Sequence, residues 1–175
     1  MNITLALVTS VNGKLTRGTS TNIYEWTSKE DRQYFFSLID AYSLIFMGRK
    51  TYEASKSVIR LKPGTLRIVL TRQPERYVQE TVPRQLEFSA DSPKVLVKRL
   101  EKAGYKEALV VGGSGVASGF LRAKLVDTVN MTLEPYLFGT GVQFLDRMGL
   151  NVSLQLMSYK QLNARGTLLL TYNVK

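Results

Sequence analysis

Short apolar runs and amphipathic stretches alternate along the first part of this 175-residue chain. Apolar runs bounded by polar or glycine residues predict strands over Ile3–Thr9, Ser43–Met47, Leu66–Thr71 and Ala108–Val111. Apolar positions at helical spacing between these runs predict helices over Ser28–Ala41, Thr51–Ile59, Ser92–Ala103 and Gly115–Leu125. This order of elements favours a parallel sheet covered by helices.

The last third of the chain has a different pattern. It predicts three strands, Thr128–Leu133, Val152–Tyr159 and Gly166–Val174, with Gly139 and Gly141 in the segment after the first of them. Strands that follow one another without a helix favour antiparallel pairing. We therefore expect an α/β sandwich with a mainly parallel central sheet and an antiparallel C-terminal hairpin. The length, the 44% hydrophobic content and the lack of a linker or repeat predict one domain over 1–175.

Composition limits which catalytic groups and which partners are possible. The chain has no cysteine and no histidine, which excludes disulfides, thiol nucleophiles and Ser-His-Asp triads, and we expect no metal site. Catalysis must then depend on carboxylates, hydroxyls, lysine or a cofactor. The net charge of +10 favours an anionic partner, which could be nucleic acid, an acidic membrane or a phosphorylated small molecule. Without a membrane-length apolar run or a signal pattern, we expect a soluble, cytoplasmic protein that binds no membrane.

Two junctions between a predicted strand and a predicted helix contain glycine. One lies within Ala108–Val116, where an apolar run ends in Gly112 and Gly113, and the other is Met47–Thr51. Glycine lets the backbone approach an anion, and the N-terminus of a helix supplies N–H donors. Both junctions are therefore candidates for binding the phosphates of one extended ligand. The alternative is that both are tight turns without a ligand.

Cationic residues follow the same strands. Arg49 and Lys50 lie at the second junction, while Arg72 and Arg76 follow the strand that ends at Thr71. The carboxyl ends of parallel strands meet at one edge of a sheet, where ligands of such folds bind. We expect these cations to bind an additional phosphate there, although each could instead be a solvated surface charge.

The chain resembles the dihydrofolate reductase-like superfamily, and within it the reductase of riboflavin biosynthesis, the C-terminal domain of a bifunctional deaminase-reductase. The resemblance runs nearly end to end and depends on Met47–Glu53, Ile68–Arg72, Val110–Val116 and Phe120-Leu121. It implies a three-layer α/β/α sandwich, a stand-alone reductase and the cofactor NADPH. Relatives often pair as dimers, and the C-terminal strands could supply such an interface.

The resemblance also implies where the cofactor binds. Gly48 to Thr51 and Thr71-Arg72 would hold its phosphates and adenosine ribose, and Gly112 to Val116 would surround the pyrophosphate. A cis peptide bond is expected between Gly112 and Gly113. The complete set of implied NADPH-binding residues is Ala6, Gly48, Arg49, Lys50, Thr51, Leu70, Thr71, Arg72, Gly112, Gly113, Ser114, Gly115 and Val116.

A second block, Trp26 to Asp31 followed by Phe35, resembles the folate reductase pocket in the order and spacing of its residues. The resemblance implies that Asp31 is the active-site carboxylate and that Trp26 and Phe35 contact the substrate. It implies the same for Thr132, which lies in a later predicted strand. The alternative is structural, because Ser28 and Asp31 have the spacing of a capping box at the start of a helix. One residue can serve both purposes, so both interpretations of Asp31 stay open.

One position departs from the riboflavin reductases. They carry a substrate-contacting glutamate just before the paired glycines, where this chain has Val111. We therefore expect an NADPH-dependent reductase of a small heterocycle, either a pyrimidine of the riboflavin type or a pterin or folate. The alternative is a nucleotide-binding or nucleic-acid-binding protein of the same fold without catalysis. The scattered tyrosines do not favour nucleic acid, which typically requires aromatics interleaved with a basic stripe.

Overall fold

A computed structural model describes residues 1–145 and 149–175. The strands within these residues form a sheet, and in chain order they are Asn2–Ser10 (β1), Leu44–Gly48 (β2), Leu66–Leu70 (β3), Leu86–Ser89 (β4), Glu107–Val110 (β5), Thr128–Glu134 (β6), Leu154–Gln161 (β7) and Leu168–Val174 (β8). The order across the sheet is β4-β3-β2-β5-β1-β6-β8-β7.

Strands β1 to β6 are parallel to one another, and β8 pairs antiparallel with both β6 and β7. The mainly parallel sheet with an antiparallel C-terminal hairpin is therefore confirmed. Strand β1 lies between β5 and β6, so the carboxyl ends of the parallel strands meet along one edge.

Helices cover both faces of the sheet. They span Lys29–Ala41 (α1), Arg49–Ser55 (α2), Pro93–Lys102 (α3) and Ser114–Arg122 (α4). One face packs against apolar residues of α1 and α2, and the other packs against α3 and α4. The three-layer arrangement is thus the one that the resemblance implies. None of the helices in the described residues has the length and apolar character needed to cross a bilayer.

Strand β2 shows why these elements form at the centre of the sheet. All five of its residues are buried, because helices cover both of its faces. Phe46 points to the side of α4, where its ring centroid lies 5.0 Å from that of Phe120. Ile45, one residue earlier, belongs to the opposite core against α1.

Several elements differ from the sequence prediction. Strand β4 was not predicted, and it follows a 3₁₀ helix over Pro74–Glu80. Helix α2 begins at Arg49 rather than Thr51 and ends at Ser55, whose carbonyl accepts the N–H groups of Val58 and Ile59 in a closing turn. Strands β7 and β8 begin at Leu154 and Leu168, each two residues later than predicted, and helix α4 ends at Arg122, three residues earlier than predicted.

Candidate functional site

An open cavity of about 1200 Å³ lies along the edge where the parallel strands end. The turns after β2, β3 and β5 line one part of it, and α1 with strands β1 and β6 lines the other. Pockets for one drug-sized ligand measure roughly 300–1,000 Å³. The cavity therefore has room for an extended ligand and a second, smaller one.

The cavity brings most of the predicted site residues together. All the residues expected to bind the cofactor line it: Ala6, Gly48, Arg49, Lys50, Thr51, Leu70, Thr71, Arg72, Gly112, Gly113, Ser114, Gly115 and Val116. Asp31, Phe35 and Thr132 line the part beside α1.

Trp26 does not line the cavity. It is buried, and its ring lies edge-on to Phe138 at a centroid distance of 5.2 Å. The structure therefore places Trp26 in the packing behind the N-terminus of α1.

The two glycine turns contact each other. The N–H of Gly48 donates to the carbonyl of Gly112 over 3.1 Å. A Cβ at Gly48 would lie 3.1 Å from Cγ2 of Val116, which is closer than ordinary packing allows, so glycine lets the turns approach. The predicted junctions thus form one continuous surface.

The turn after β5 leaves open space beside the backbone. Gly112 has a φ of +85° and joins Gly113 through a cis peptide bond, as the resemblance implies. A Cβ on Gly112 or Gly115 would meet nothing within 4 Å. Helix α4 begins at Ser114 with no side chain capping it, and the N–H of Val116 already donates to Gly113, which leaves the N–H groups of Ser114 and Gly115 for another acceptor. This is a surface that an oxyanion such as a pyrophosphate fits.

The cations at this end of the cavity differ in their partners. Arg49 donates to both carboxylate oxygens of Glu53, at 2.9 and 2.7 Å. Arg72 and Arg76 are exposed and, like Lys50, form no ion pair with any residue that the structure describes. The positive charge of these last three is therefore available to an anionic ligand.

Asp31 lies at the other end of the cavity, in the first turn of α1. The Oγ of Ser28 accepts the N–H of Asp31 over 3.2 Å, which caps the helix. The Asp31 residue is only 5% exposed, and its carboxylate is hydrogen-bonded to Thr132. Burial, with a smaller contribution from the charge of Glu134, raises the pKa of Asp31 to about 6, although the bond to Thr132 opposes the rise.

The sequence analysis missed Glu134 as a functional candidate. Its side chain is completely buried at the end of β6. Its carboxylate accepts the Ser28 N–H at 2.6 Å and the Thr167 hydroxyl at 2.8 Å. The sequence spacing could have indicated Glu134, because it lies two residues after Thr132 and so its side chain is on the same face of the strand.

Asn130 also lines the cavity and lies on β6, two residues before Thr132. Its amide oxygen is buried and has no hydrogen-bond partner among the described residues. It is therefore an acceptor that a ligand in this part of the cavity could satisfy.

The described residues contain no group of three or more His, Cys, Asp or Glu side chains that could hold a metal ion.

Taken together, the residues that line the cavity form a glycine-lined, cationic surface at one end and a buried carboxyl group of raised pKa at the other.

Proteins of similar sequence or structure occur in several bacteria. An uncharacterized protein of Bacillus subtilis, YwjB, is 23% identical over 163 residues, which is 90% of each chain. A putative riboflavin biosynthesis protein from Shewanella sp. PV-4 matches with a TM-score of 0.78 at 20% identity, covering 100% of this chain and 99% of that one. A pyrimidine reductase-like protein from Corynebacterium diphtheriae matches with a TM-score of 0.81 at 13% identity, covering 99% and 92%.

The family model for the RibD C-terminal domain matches residues 1–168. This match covers nearly the whole chain and agrees with the residues on which the resemblance depends. The chain therefore belongs to the RibD C-terminal domain family.

Proposed function

We propose that this protein is an NADPH-dependent reductase that transfers hydride to a C=N or C=O carbon of a small heterocycle. The observation that carries the proposal is the occurrence of two sites in one cavity. One is a glycine-lined surface for an anion, and the other is the buried carboxyl group of Asp31, whose pKa is raised to about 6. A reductase needs both, because it must hold a dinucleotide and must also bind and protonate a substrate.

The residues present fit NADPH. The open backbone at Gly112 and Gly115 and the N-terminus of α4 would hold the pyrophosphate. Lys50 and Arg72 would bind the 2′-phosphate that distinguishes NADPH from NADH. Ala6 on β1 would border the nicotinamide. When bound, NADPH supplies the hydride.

Asp31 would serve the substrate. Its carboxyl group faces Thr132 at the base of the cavity and is shielded from water. A carboxyl group with a pKa of about 6 is roughly one tenth protonated at pH 7, so it can donate a proton as well as accept a hydrogen bond. Phe35 would form an apolar wall against a planar ring.

The family supports a reductase, and one of the solved relatives indicates a substrate class. A deaminase/5-amino-6-(5-phosphoribosylamino)uracil reductase from Thermotoga maritima matches with a TM-score of 0.75 at 19% identity, and this chain spans 56% of its length. Val111 stands where the resemblance leads us to expect a substrate-contacting glutamate, and it lines the cavity. We therefore propose a substrate related to the pyrimidines of riboflavin biosynthesis, or to pterins and folates, with different contacts at Val111.

Charge reversal tests the cofactor assignment. Arg72→Glu should weaken NADPH binding at least tenfold and should change NADH binding much less, because it places a negative charge beside the 2′-phosphate. Lys98→Glu makes the same charge change on the exposed face of α3, outside the cavity, and should bind NADPH as the wild type does. If both variants bound NADPH normally and both lost affinity for a polyanion such as heparin, the alternative without catalysis would be favoured.

A further inference from the structure

Glu134 connects the C-terminal hairpin to the helix that carries Asp31. One carboxylate oxygen accepts the backbone N–H of Ser28, the N-cap residue of α1, over 2.6 Å. The other accepts the hydroxyl of Thr167, which is itself completely buried. Glu134 therefore lies between two segments that are distant in sequence and has an acceptor directed at each.

The contact with Ser28 changes what the capping box can do. In a complete box the N-cap side chain accepts the N–H of the third helical residue, and the side chain of that residue accepts the N-cap N–H in return. The first half is present here, since Ser28 Oγ accepts from Asp31. The second half is different, because the Ser28 N–H donates to Glu134 and not to Asp31.

The carboxylate of Asp31 is consequently left for other partners. It lines the cavity and is hydrogen-bonded to Thr132 instead of to its own helix N-terminus. The two interpretations of Asp31 are thus compatible, because its N–H serves the cap while its side chain remains in the site.

The turn between β7 and β8 holds in place Thr167, the residue whose hydroxyl donates to Glu134. The side-chain amide nitrogen of Asn163 donates to Thr167 Oγ1 at 3.0 Å and to Glu30 Oε2 at 3.1 Å, while its oxygen accepts the Thr167 N–H at 3.2 Å. This network ties the turn to the first residues of α1. A carboxylate held on both sides in this way has one orientation available to it.

We propose that Glu134 is a positioning residue, which occupies the Ser28 N–H so that the Asp31 carboxylate stays in the substrate part of the cavity. The proposal rests on the proposed function for its catalytic consequence, but the position of Asp31 is a structural claim that can be tested separately.

The test compares two kinds of substitution at Glu134. Glu134→Gln keeps an oxygen that can accept from Ser28 and should retain kcat within about threefold of the wild type. Glu134→Ala removes the acceptor, so Asp31 is expected to turn back and bind the Ser28 N–H, with a loss of kcat of at least about tenfold. Glu134→Leu removes the acceptor while filling most of the volume, and it provides the same comparison if the alanine variant does not fold.

Val129→Ala is the matched control. Val129 is buried on the same strand but belongs to the core on the side of α3 and α4, so its truncation destabilises the fold without touching Ser28. The control should keep kcat, and all the variants should bind NADPH as the wild type does, because Glu134 does not line the cavity. A crystal structure of Glu134→Ala or Glu134→Leu should show the Asp31 carboxylate accepting the Ser28 N–H.

Two results would overturn the proposal. One is a Glu134→Leu enzyme with wild-type kcat. The other is a structure in which Asp31 still faces Thr132 after the acceptor is lost. If the wild-type protein turned over no heterocycle with NADPH, the proposed function would fail instead, and the crystal structures alone would still decide whether Glu134 positions Asp31.

Discussion

Replacing Asp31 with asparagine should stabilise the protein at neutral pH while it removes the proposed proton donor. The Asp31 residue is 5% exposed, and burial is the main reason why the pKa of its carboxyl group rises from 3.8 to about 6. A raised pKa means that the folded state disfavours the charged form. Asparagine has nearly the same shape and never ionises, so the variant avoids this cost.

The size of the effect follows from linkage between protonation and folding. At about 1.4 kcal/mol per pH unit, a rise in pKa from 3.8 to about 6 lowers the stability of the ionised wild type by about 3 kcal/mol. Below pH 3.8 the group is protonated in both states and the cost vanishes. Between pH 3.8 and 6 the unfolded state ionises first, so the cost grows to about 1 kcal/mol at pH 4.5 and reaches its full value above pH 7.

Urea unfolding of the wild type and Asp31→Asn between pH 4.5 and 8 measures this difference. With a denaturant slope of about 2 kcal/mol/M, the midpoint of the variant should exceed that of the wild type by about 1.5 M at pH 8 and by about 0.5 M at pH 4.5. Asp40→Asn is the control, because Asp40 is an exposed carboxylate near the other end of α1. Its bond from Lys62, at 2.7 Å, lowers its pKa, so this control should lose stability above pH 4 instead of gaining it. A difference between wild type and Asp31→Asn that did not change with pH would refute the reasoning.

Three further substitutions test other parts of the structure. Gly115→Val should reduce NADPH affinity at least tenfold in a fluorescence titration, because the valine side chain would enter open space in the cavity. Gly139→Val also adds a side chain in open space, but outside the cavity, and it should leave NADPH affinity unchanged. Thr132→Val removes a bond that lowers the pKa of Asp31, so the midpoint of Asp31 in a carboxyl NMR titration should move above about 6; an unchanged midpoint would contradict the assigned bond. Phe46→Ala should lower the free energy of unfolding by roughly 3–5 kcal/mol, since the ring is fully buried against α4, and a loss below 1 kcal/mol in urea would be inconsistent with that packing.

Much of the fold follows from local patterns in the sequence. The buried strands β2, β3 and β5 are short and mainly apolar, although Arg67 interrupts β3, and glycine or a polar residue occurs at or within two residues of the end of each. Strand β4 escaped prediction because only Leu86 and Phe88 mark it as apolar, and four residues give too short a period to recognise. Its pairing with β3 depends on the sheet and not on local preference.

The candidate site was predictable to a different extent at each end. The glycine turns and Arg72 follow strands directly, so the sequence alone locates them at one edge of the sheet. The environment of Asp31 was not accessible in this way, because Glu134 lies 106 residues after Ser28 along the chain. Only tertiary structure shows that the Ser28 N–H donates to Glu134 and not to Asp31.

The central claim is that the glycine-lined, cationic part of the cavity binds NADPH. Titration of the wild-type protein with NADPH and separately with NADH, followed by the emission of the nicotinamide, tests it most directly. We expect NADPH to bind at least tenfold more tightly than NADH, because Lys50 and Arg72 form no ion pair with the described residues and can bind the 2′-phosphate. If neither nucleotide bound, the account would be contradicted and the glycine turns would have a purely structural role.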